Sequence, residues 1–382
     1  ISELEIGDIV RNNNVNIANY SRLVVIAGNF GGGWSYLGKS DLNINGINYR
    51  LSLAMVGGNS FNELKRIYDI TGVWTYFDFV FSHEMGHSLG VLHANGWDCG
   101  LTIMYGECKH LEYGNAFDTM GGGSYSSQFN AYFKESLGWI NSANSLLIDK
   151  SGRYTINPLE TNSGVNSAKI KILNSSETPY YLEYRRGIGF DRILNDGSLI
   201  TNQWGLMINW ALGQNSYPFS RLLDMSHTDL FWWDDTKKAT LNIHDVFKDL
   251  GRGITIETIS GNYSQLTFDV KLENPVCVRQ RPVILSLNNN NAVVNAAGYG
   301  WATINFYNQD YYACEGSLFN IKAILPSSWT YTQPDDYFLI PNEQGWVGIN
   351  FNIPSNTAPG DYTLTYEVIN KTSGLKSTIN QA

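Results

Sequence analysis

Three histidines and one glutamate within eleven residues are the part of this sequence best suited to chemistry. His83, Glu84, His87, Gly90 and His93 follow one another at fixed spacing. An α-helix has 3.6 residues per turn, so imidazoles four positions apart project from one face and can bind the same ion. Glu84 is displaced by about 100° around the helix axis. It is therefore a poor ligand but can reach a water at the metal, as a general base must.

The remaining two motif positions complete a metal site. Glycine tolerates the left-handed conformation, so we expect the helix to end at Gly90 and the chain to bring His93 back toward the metal. Three neutral imidazoles and one water form the tetrahedral arrangement of catalytic zinc. A buried helix with core histidines is the alternative, but this spacing in a chain with only six histidines favours one catalytic Zn²⁺ with Glu84 as the catalytic residue.

Several elements are predicted around this motif. We expect a helix from Tyr76 to Leu89, a buried strand from Arg22 to Gly28 and a short helix from Asn59 to Asp69. A strand at 49–58 precedes the motif, and we expect its part from Leu51 to Val56 to be an edge strand that aligns an extended peptide.

Composition and charge limit the class of protein. The 382 residues include 13% aromatic residues and carry a net charge of −9, which argues against nucleic acid as a partner because phosphate binding needs a basic face. No apolar run is long enough to span a membrane. The chain begins with Ile1 and has no signal-peptide pattern, so we expect a mature or excised form. Calcium stays open, since no calcium-loop pattern is present.

The four cysteines form two local pairs in the sequence. Cys99 lies near Cys108, and Cys277 lies closer to Cys314 than to the other two. We expect two disulfides and an oxidising, extracellular compartment. Zinc binding by these cysteines is the competing interpretation, although neither pair has the usual CxxC spacing.

After residue 140 the pattern changes to short β-rich runs. We expect a β-sandwich at 141–274 and an immunoglobulin-like sandwich at 275–382. Glu183 and Arg185 alternate along one strand, which favours a solvent-facing position over an active site. Trp301, Trp329 and Trp346 could stack on glycans, but burial in the sandwich core is the favoured interpretation.

Three segments together resemble a known family. HEMGHSLGVLHA, EYGNAFDTMGGG and FNAYFKESLGWI are similar to the gametolysin-type metzincin zinc metallopeptidases. The resemblance implies an α+β metzincin-like catalytic domain at 1–140, with Met120 as a hydrophobic support beneath the zinc, followed by two all-β domains as in secreted bacterial relatives. The family's tyrosine two positions after the methionine is replaced by Gly122, so Tyr125 is the candidate transition-state stabiliser.

The sequence therefore predicts a secreted zinc endopeptidase that acts on extracellular proteins or glycoproteins and is a monomer. Zinc would activate a water, and Glu84 would accept its proton. Two alternatives remain: a vestigial peptidase that serves as an adhesion or binding protein, and a zinc hydrolase of a non-peptide amide in cell wall or glycoconjugate.

Overall fold

The described part of the chain folds mainly into β-sheets, with 45% of its residues in strands and 11% in helices. The computed structural model describes residues 3–28, 32–58, 76–99, 103–104, 108–122, 127–161, 164–174, 178–195, 205–214, 216–225, 238–288 and 294–381. The predicted helix at 59–69 lies outside these ranges, as does Tyr125. Two compact units are present: residues 1–104, 108–247 and 256–270 form the first, and residues 105–107, 248–255 and 271–382 form the second. The finer division at residue 140 stays a prediction.

The N-terminal part of the first unit is a small mixed sheet with one helix against it. Its elements are α1 (Glu3–Asn12), β1 (Arg22–Gly28), β2 (Gly33–Ser35), β3 (Ser40–Ile44) and β4 (Ile47–Gly58). Apolar residues of α1, β3 and β4 form a buried cluster that includes Ile6, Leu42 and Leu51. The sheet order is β1-β4-β2, and β3 also pairs with β4.

Strand β4 is central in this sheet, so its prediction as an edge strand is wrong. Ala54 pairs with Val24 of β1 on one side and with Ser35 of β2 on the other. Leu51 pairs with Ser40 of β3. The alternation of apolar residues reports burial on a face of the sheet, but it carries no information about which strands lie alongside. The edge on this side is formed by the short strand β2.

The helix that carries the motif, α2 (Tyr76–Leu89), has the predicted bounds. Phe79 and Val80 on its buried side pack against Val56 of β4. The helix ends at Gly90, whose φ of +98° is left-handed. The Val91 N–H donates to the Gly86 carbonyl and the Gly90 N–H to the His87 carbonyl, the two bonds of a Schellman motif. The predicted helix end is confirmed.

The rest of the first unit is built from two sheets and a short helix, α3 (Ala131–Ser136). Its strands are β5 (Ala94–Asp98), β6 (Lys109–Leu111), β7 (Ser145–Ile148), β8 (Gly152–Ile156), β9 (Ser167–Ile170), β10 (Tyr180–Tyr184), β11 (Leu206–Gln214), β12 (Tyr217–Leu223), β13 (Val246–Asp249), β14 (Ile254–Asn262) and β15 (Gln265–Leu272). One sheet has the order β6-β5-β12-β11-β10-β9-β7 and the other β13-β14-β15-β8. The seven-stranded sheet joins strands from both sides of residue 140.

The second unit contains two four-stranded sheets around one apolar core. Its strands are β16 (Val283–Asn288), β17 (Tyr299–Tyr307), β18 (Ser317–Ile324), β19 (Thr330–Tyr331), β20 (Tyr337–Leu339), β21 (Gln344–Asn352), β22 (Leu364–Asn370) and β23 (Lys376–Gln381). The orders are β16-β17-β21-β19 and β20-β18-β22-β23. Inward side chains of both sheets, among them Ile304, Phe319 and Phe351, form the core, as in a β-sandwich.

Both predicted disulfides are present. Cys99 bonds to Cys108 and Cys277 to Cys314, and none of the four cysteines is free. Disulfides of this kind fit an extracellular protein. Among the described residues, no helix has the length and hydrophobicity needed to cross a membrane.

Two predictions about exposure are wrong. Glu183 and Arg185 are buried: every residue of β10 is buried, and so is Arg185, which directly follows the strand. Trp301 and Trp346 are 46% and 65% exposed, since they share the outward side of their strands. Trp329 does pack against the core.

Candidate metal centre

The three motif histidines meet at one point in the first unit. One ring nitrogen from each of His83, His87 and His93 lies within 4.8 Å of the other two, so the group could hold a metal ion. The ring centroids are 4.9, 5.3 and 4.9 Å apart. The first two histidines share a face of α2, and the turn at Gly90 returns the chain so that His93 reaches the same point.

Each imidazole is oriented through its Nδ1 atom. His83 Nδ1 donates to the Thr119 carbonyl at 2.8 Å, and His87 Nδ1 donates to the Val91 carbonyl at 2.9 Å. His93 Nδ1 donates to the Glu112 carboxylate. A proton on Nδ1 fixes the tautomer, so the lone pair of each neutral ring is on Nε2.

The Nε2 atoms then have the arrangement of ligands. Those of His87 and His93 are 3.1 Å apart, although neither has a proton to donate to the other. Two nitrogens bound tetrahedrally to one zinc at the usual bond length are about 3.3 Å apart. The 3.1 Å separation is close to this value, so the two nitrogens could bind a single ion, and three imidazoles are a ligand set that zinc accepts.

Burial keeps the helix histidines neutral. Removal from water lowers the pKa of His83 to about 3 and that of His87 to about 4, despite opposing bonds to backbone carbonyls. Charge repulsion among the histidines acts in the same direction. Since a metal binds the neutral ring, both residues are in the ligand form at neutral pH.

Glu84 is buried beside the first ligand. Its Oε2 atom has no hydrogen-bond partner among the described residues, and burial raises the pKa of its carboxyl to about 7. The edge strand β2 passes against this side chain, because a Cβ atom on Gly33 would lie 2.5 Å from Glu84 Cγ and Oε1. A buried oxygen without a partner is costly, so Glu84 is suited to an additional ligand or substrate group.

Met120 lies directly beneath the histidine helix. It is fully buried, and a Cβ atom on Gly86 would come within 2.2 Å of its sulfur. The same turn provides the Thr119 carbonyl that orients His83, while the Met120 carbonyl accepts from the Ala94 N–H at 2.9 Å. The turn thus supports the site by packing and by fixing two of its backbone segments.

Buried charges hold this turn in place. Asp118 accepts hydrogen bonds from the N–H groups of Met120 and Asn130 at 2.7 and 2.6 Å. Arg185 donates to the Phe117 carbonyl at 2.9 Å and pairs with Glu183 at 3.2 Å. Glu183 of β10 and Arg185 just after it, which the sequence placed in solvent, therefore anchor the segment that carries Met120.

Sequence reasoning missed three side chains near the histidines. Glu112 accepts from both His93 and His110, the latter at 2.9 Å. Burial would raise the pKa of Glu112, but these two histidines outweigh it and hold the pKa below its usual value. The ring of Tyr113 lies 4.0 Å from that of His93. The sequence did point to two of them, because Glu112 and Tyr113 begin the segment EYGNAFDTMGGG. In that segment only Met120 was assigned a role at the metal site.

The geometry of the three histidines is the basis for identifying this candidate metal centre. No protein-family model matches the chain, and no curated protein is significantly similar to it.

Proposed function

We propose that the chain is a zinc-dependent endopeptidase of the gametolysin-type metzincin class, with an α+β catalytic region. One observation carries the proposal: a ring nitrogen from each of three histidines lies within 4.8 Å of the other two, next to a buried carboxylate with an oxygen that no described residue bonds. Three neutral imidazoles are a donor set of catalytic zinc. The resemblance of the motif and methionine segments to this family supports zinc over other metals that bind imidazole.

Glu84 is the proposed general base. When bound, zinc supplies a Lewis acid that polarises a carbonyl and lowers the pKa of water toward neutrality. Glu84 accepts the proton of the attacking water and passes it to the nitrogen of the leaving amine. A carboxyl whose pKa is about 7 suits both steps, because a group titrating near the working pH gives up its proton almost as readily as it accepts it.

Strand β2 is the proposed guide for the substrate. It is the edge of its sheet on this side, and Gly33 at its start contacts Glu84. An extended peptide added to this edge would be held by backbone hydrogen bonds. The link between β2 and the metal helix is rigid, since Ser35 Oγ bonds Ser88 Oγ at 3.0 Å and the Gly38 N–H donates to the His87 carbonyl at 2.8 Å.

Tyr113 is the proposed hydroxyl donor of the site. Burial raises the pKa of its phenol, and the negative charges of Glu112 and Glu84 raise it further. The phenol therefore keeps its proton at neutral pH and can donate it to an oxygen that becomes negative during attack. This residue takes the role that the sequence assigned to Tyr125.

The test compares the chain with Glu84→Gln and with Glu257→Gln as a matched control, because Glu257 is exposed on β14. Each variant is incubated with a denatured proteome, and new peptide N-termini are sequenced with and without a zinc chelator. We expect Glu84→Gln to keep its zinc and lose about 10²–10⁴-fold in rate, while the control retains full activity.

Four results would overturn the proposal. Chelator-insensitive cleavage, or cleavage that survives in Glu84→Gln, would exclude this mechanism. Release of non-peptide amines without new peptide N-termini would favour a hydrolase of cell-wall or glycoconjugate amides. Zinc binding without any hydrolysis would favour an adhesion protein built on a vestigial site.

A further inference from the structure

The outward side of one sheet in the second unit has an unusual composition. We call the outward side of β16-β17-β21-β19 the aromatic face, and its most exposed aromatic residues are Tyr299, Trp301 and Trp346. None of these four strands contains Asp, Glu, Lys or Arg. Solvent-facing strand positions normally carry charges, so both the exposed indoles and the absence of charge require an explanation.

The other sheet of the same sandwich provides the comparison. Its strands carry Lys322, Glu367 and Lys376, and Lys322 stands opposite Glu367 in the pairing of β18 with β22. Lys376 forms an ion pair with Glu367. That outward side also exposes apolar residues, among them Leu318 and Phe338, but it carries charges. The absence of charge on the aromatic face is therefore not a general property of the unit.

The pairing of β17 with β21 arranges the two indoles symmetrically. Trp301 stands opposite Asn350, and Asn305 stands opposite Trp346. Each indole therefore has an amide beside it on the neighbouring strand. The two indole–amide pairs are four residues apart along the strands, which corresponds to about 14 Å.

The surface between these two pairs carries only small residues. Thr303 stands opposite Gly348 there, and no atom lies within 4 Å of the position that a Cβ on Gly348 would occupy. The aromatic face is thus a shallow trough with an indole and an amide at each end. A ligand that contacts both ends must be extended and must be longer than a single sugar ring.

We propose that the aromatic face binds a neutral oligosaccharide or polysaccharide chain. The apolar C–H side of a sugar ring stacks on an indole, and an amide both donates to and accepts from sugar hydroxyls. Anionic polymers need a basic surface, which these strands lack in a chain of net charge −9. Protein interfaces usually combine aromatic residues with arginine, which these strands also lack.

The experiment measures retention of the full chain on insoluble chitin, cellulose and β-glucan, and binding of the matching neutral hexasaccharides by calorimetry. Heparin provides a charged comparison. Trp301→Ala and Trp346→Ala are tested beside Phe338→Ala, which removes a 58% exposed aromatic ring from the opposite sheet. Thermal unfolding of each variant checks that the unit is folded.

We expect binding to at least one neutral glycan and none to heparin. Each tryptophan variant should bind at least about tenfold more weakly, and Phe338→Ala should bind like the parent. Raising the salt to about 0.5 M should change affinity less than twofold, because no charged pair is screened. No binding to any of the neutral glycans, or equal losses in all three variants, would overturn the proposal. A dimer that Trp346→Ala converts to a monomer, without glycan binding, would identify the face as a contact between copies.

Discussion

The metal centre and the aromatic face use opposite physical means to present reactive or binding groups. At the metal centre, buried titratable side chains are fixed by hydrogen bonds to atoms distant in sequence, such as Thr119 and Glu112. The aromatic face exposes groups that do not titrate, and the register of two strands alone sets their positions. Perturbation of pH, metal or packing should therefore affect the first region strongly and the second little.

Loss of a ligand should have the largest effect. His87→Ala removes one of three converging nitrogens. Loss of an outer-shell partner lowers metal affinity by about 10–100-fold, so we expect loss of a ligand to lower zinc affinity by more than about a hundredfold. Competition with a chromogenic chelator measures this. His244→Asn is the control, since this exposed histidine lies outside the group. Undiminished zinc binding by His87→Ala would contradict the proposed site, and glycan binding should be the same in all forms.

The outer-shell carboxylate should have an intermediate effect. Glu112→Gln keeps an oxygen near His93 but removes the charge that favours the Nδ1 proton, so zinc affinity should fall about 10–100-fold. The same chelator competition measures it, with Glu257→Gln as the exposed control. An affinity equal to that of the control would mean that Glu112 does not orient His93.

Two glycine substitutions compare packing in the two regions. Gly86→Ala gains helix propensity, but its Cβ would meet the buried sulfur of Met120 at 2.2 Å. We expect a net loss of about 1–3 kcal/mol in the free energy of unfolding. Gly348→Ala meets no atom within 4 Å and should stay within about 0.5 kcal/mol of the parent. Denaturant titrations measure both, and equal effects would remove the contrast.

The smallest expected effect is the pH dependence of the metal-free protein. The pKa values of His83 and His87 are about 3 and 4 in the fold and ordinary in the unfolded chain. Their contribution to stability is therefore complete above pH 6.5 and is lost as the pH falls toward 4. Glu84, with a pKa of about 7, acts oppositely: its contribution is present below pH 4.5 and is lost as the pH rises through 7.

The buried carboxyls of Asp118 and Glu160, whose pKa values burial also raises, act in the same direction as Glu84, so the test is the difference between two proteins. On acidification from pH 7 to pH 5, the melting temperature of chelated Glu84→Gln should fall more, or rise less, than that of the chelated parent, because the variant lacks one of these opposing carboxyls. Glycan binding should not change over the range in which the fold is intact. An identical change of melting temperature in Glu84→Gln and in the parent would show that the carboxyl of Glu84 does not have a raised pKa in the fold.

Local chemistry was predictable from the sequence, and long-range placement was not. Helix geometry places His83 and His87 together, and Gly90 ends the helix as expected, because both depend only on neighbours along the chain. Glu183 and Arg185 were misplaced because an alternating pattern does not reveal that both faces of β10 are covered. The central position of β4 likewise depends on which strands pair with it. Those pairings involve residues distant in sequence, so the sequence of β4 alone does not reveal them.

The tryptophans were misplaced for a different reason. Trp301 shares its parity along β17 with Thr303 and Asn305, while the opposite parity holds Ile304 and Phe306. That pattern indicates that the indole of Trp301 points outward. The prediction of a core position relied only on the size and hydrophobicity of the tryptophan side chain. Polar neighbours of the same parity are the better guide to where an aromatic residue points.

The partners of the three Nδ1 atoms differ in how evolution can change them. His83 and His87 bond to backbone carbonyls, which remain in place whatever side chain stands at those positions. His93 bonds to a side chain, and a single codon can therefore change its partner. Glu112 is thus the one orienting position at which metal affinity can drift by point mutation without any change in the ligands.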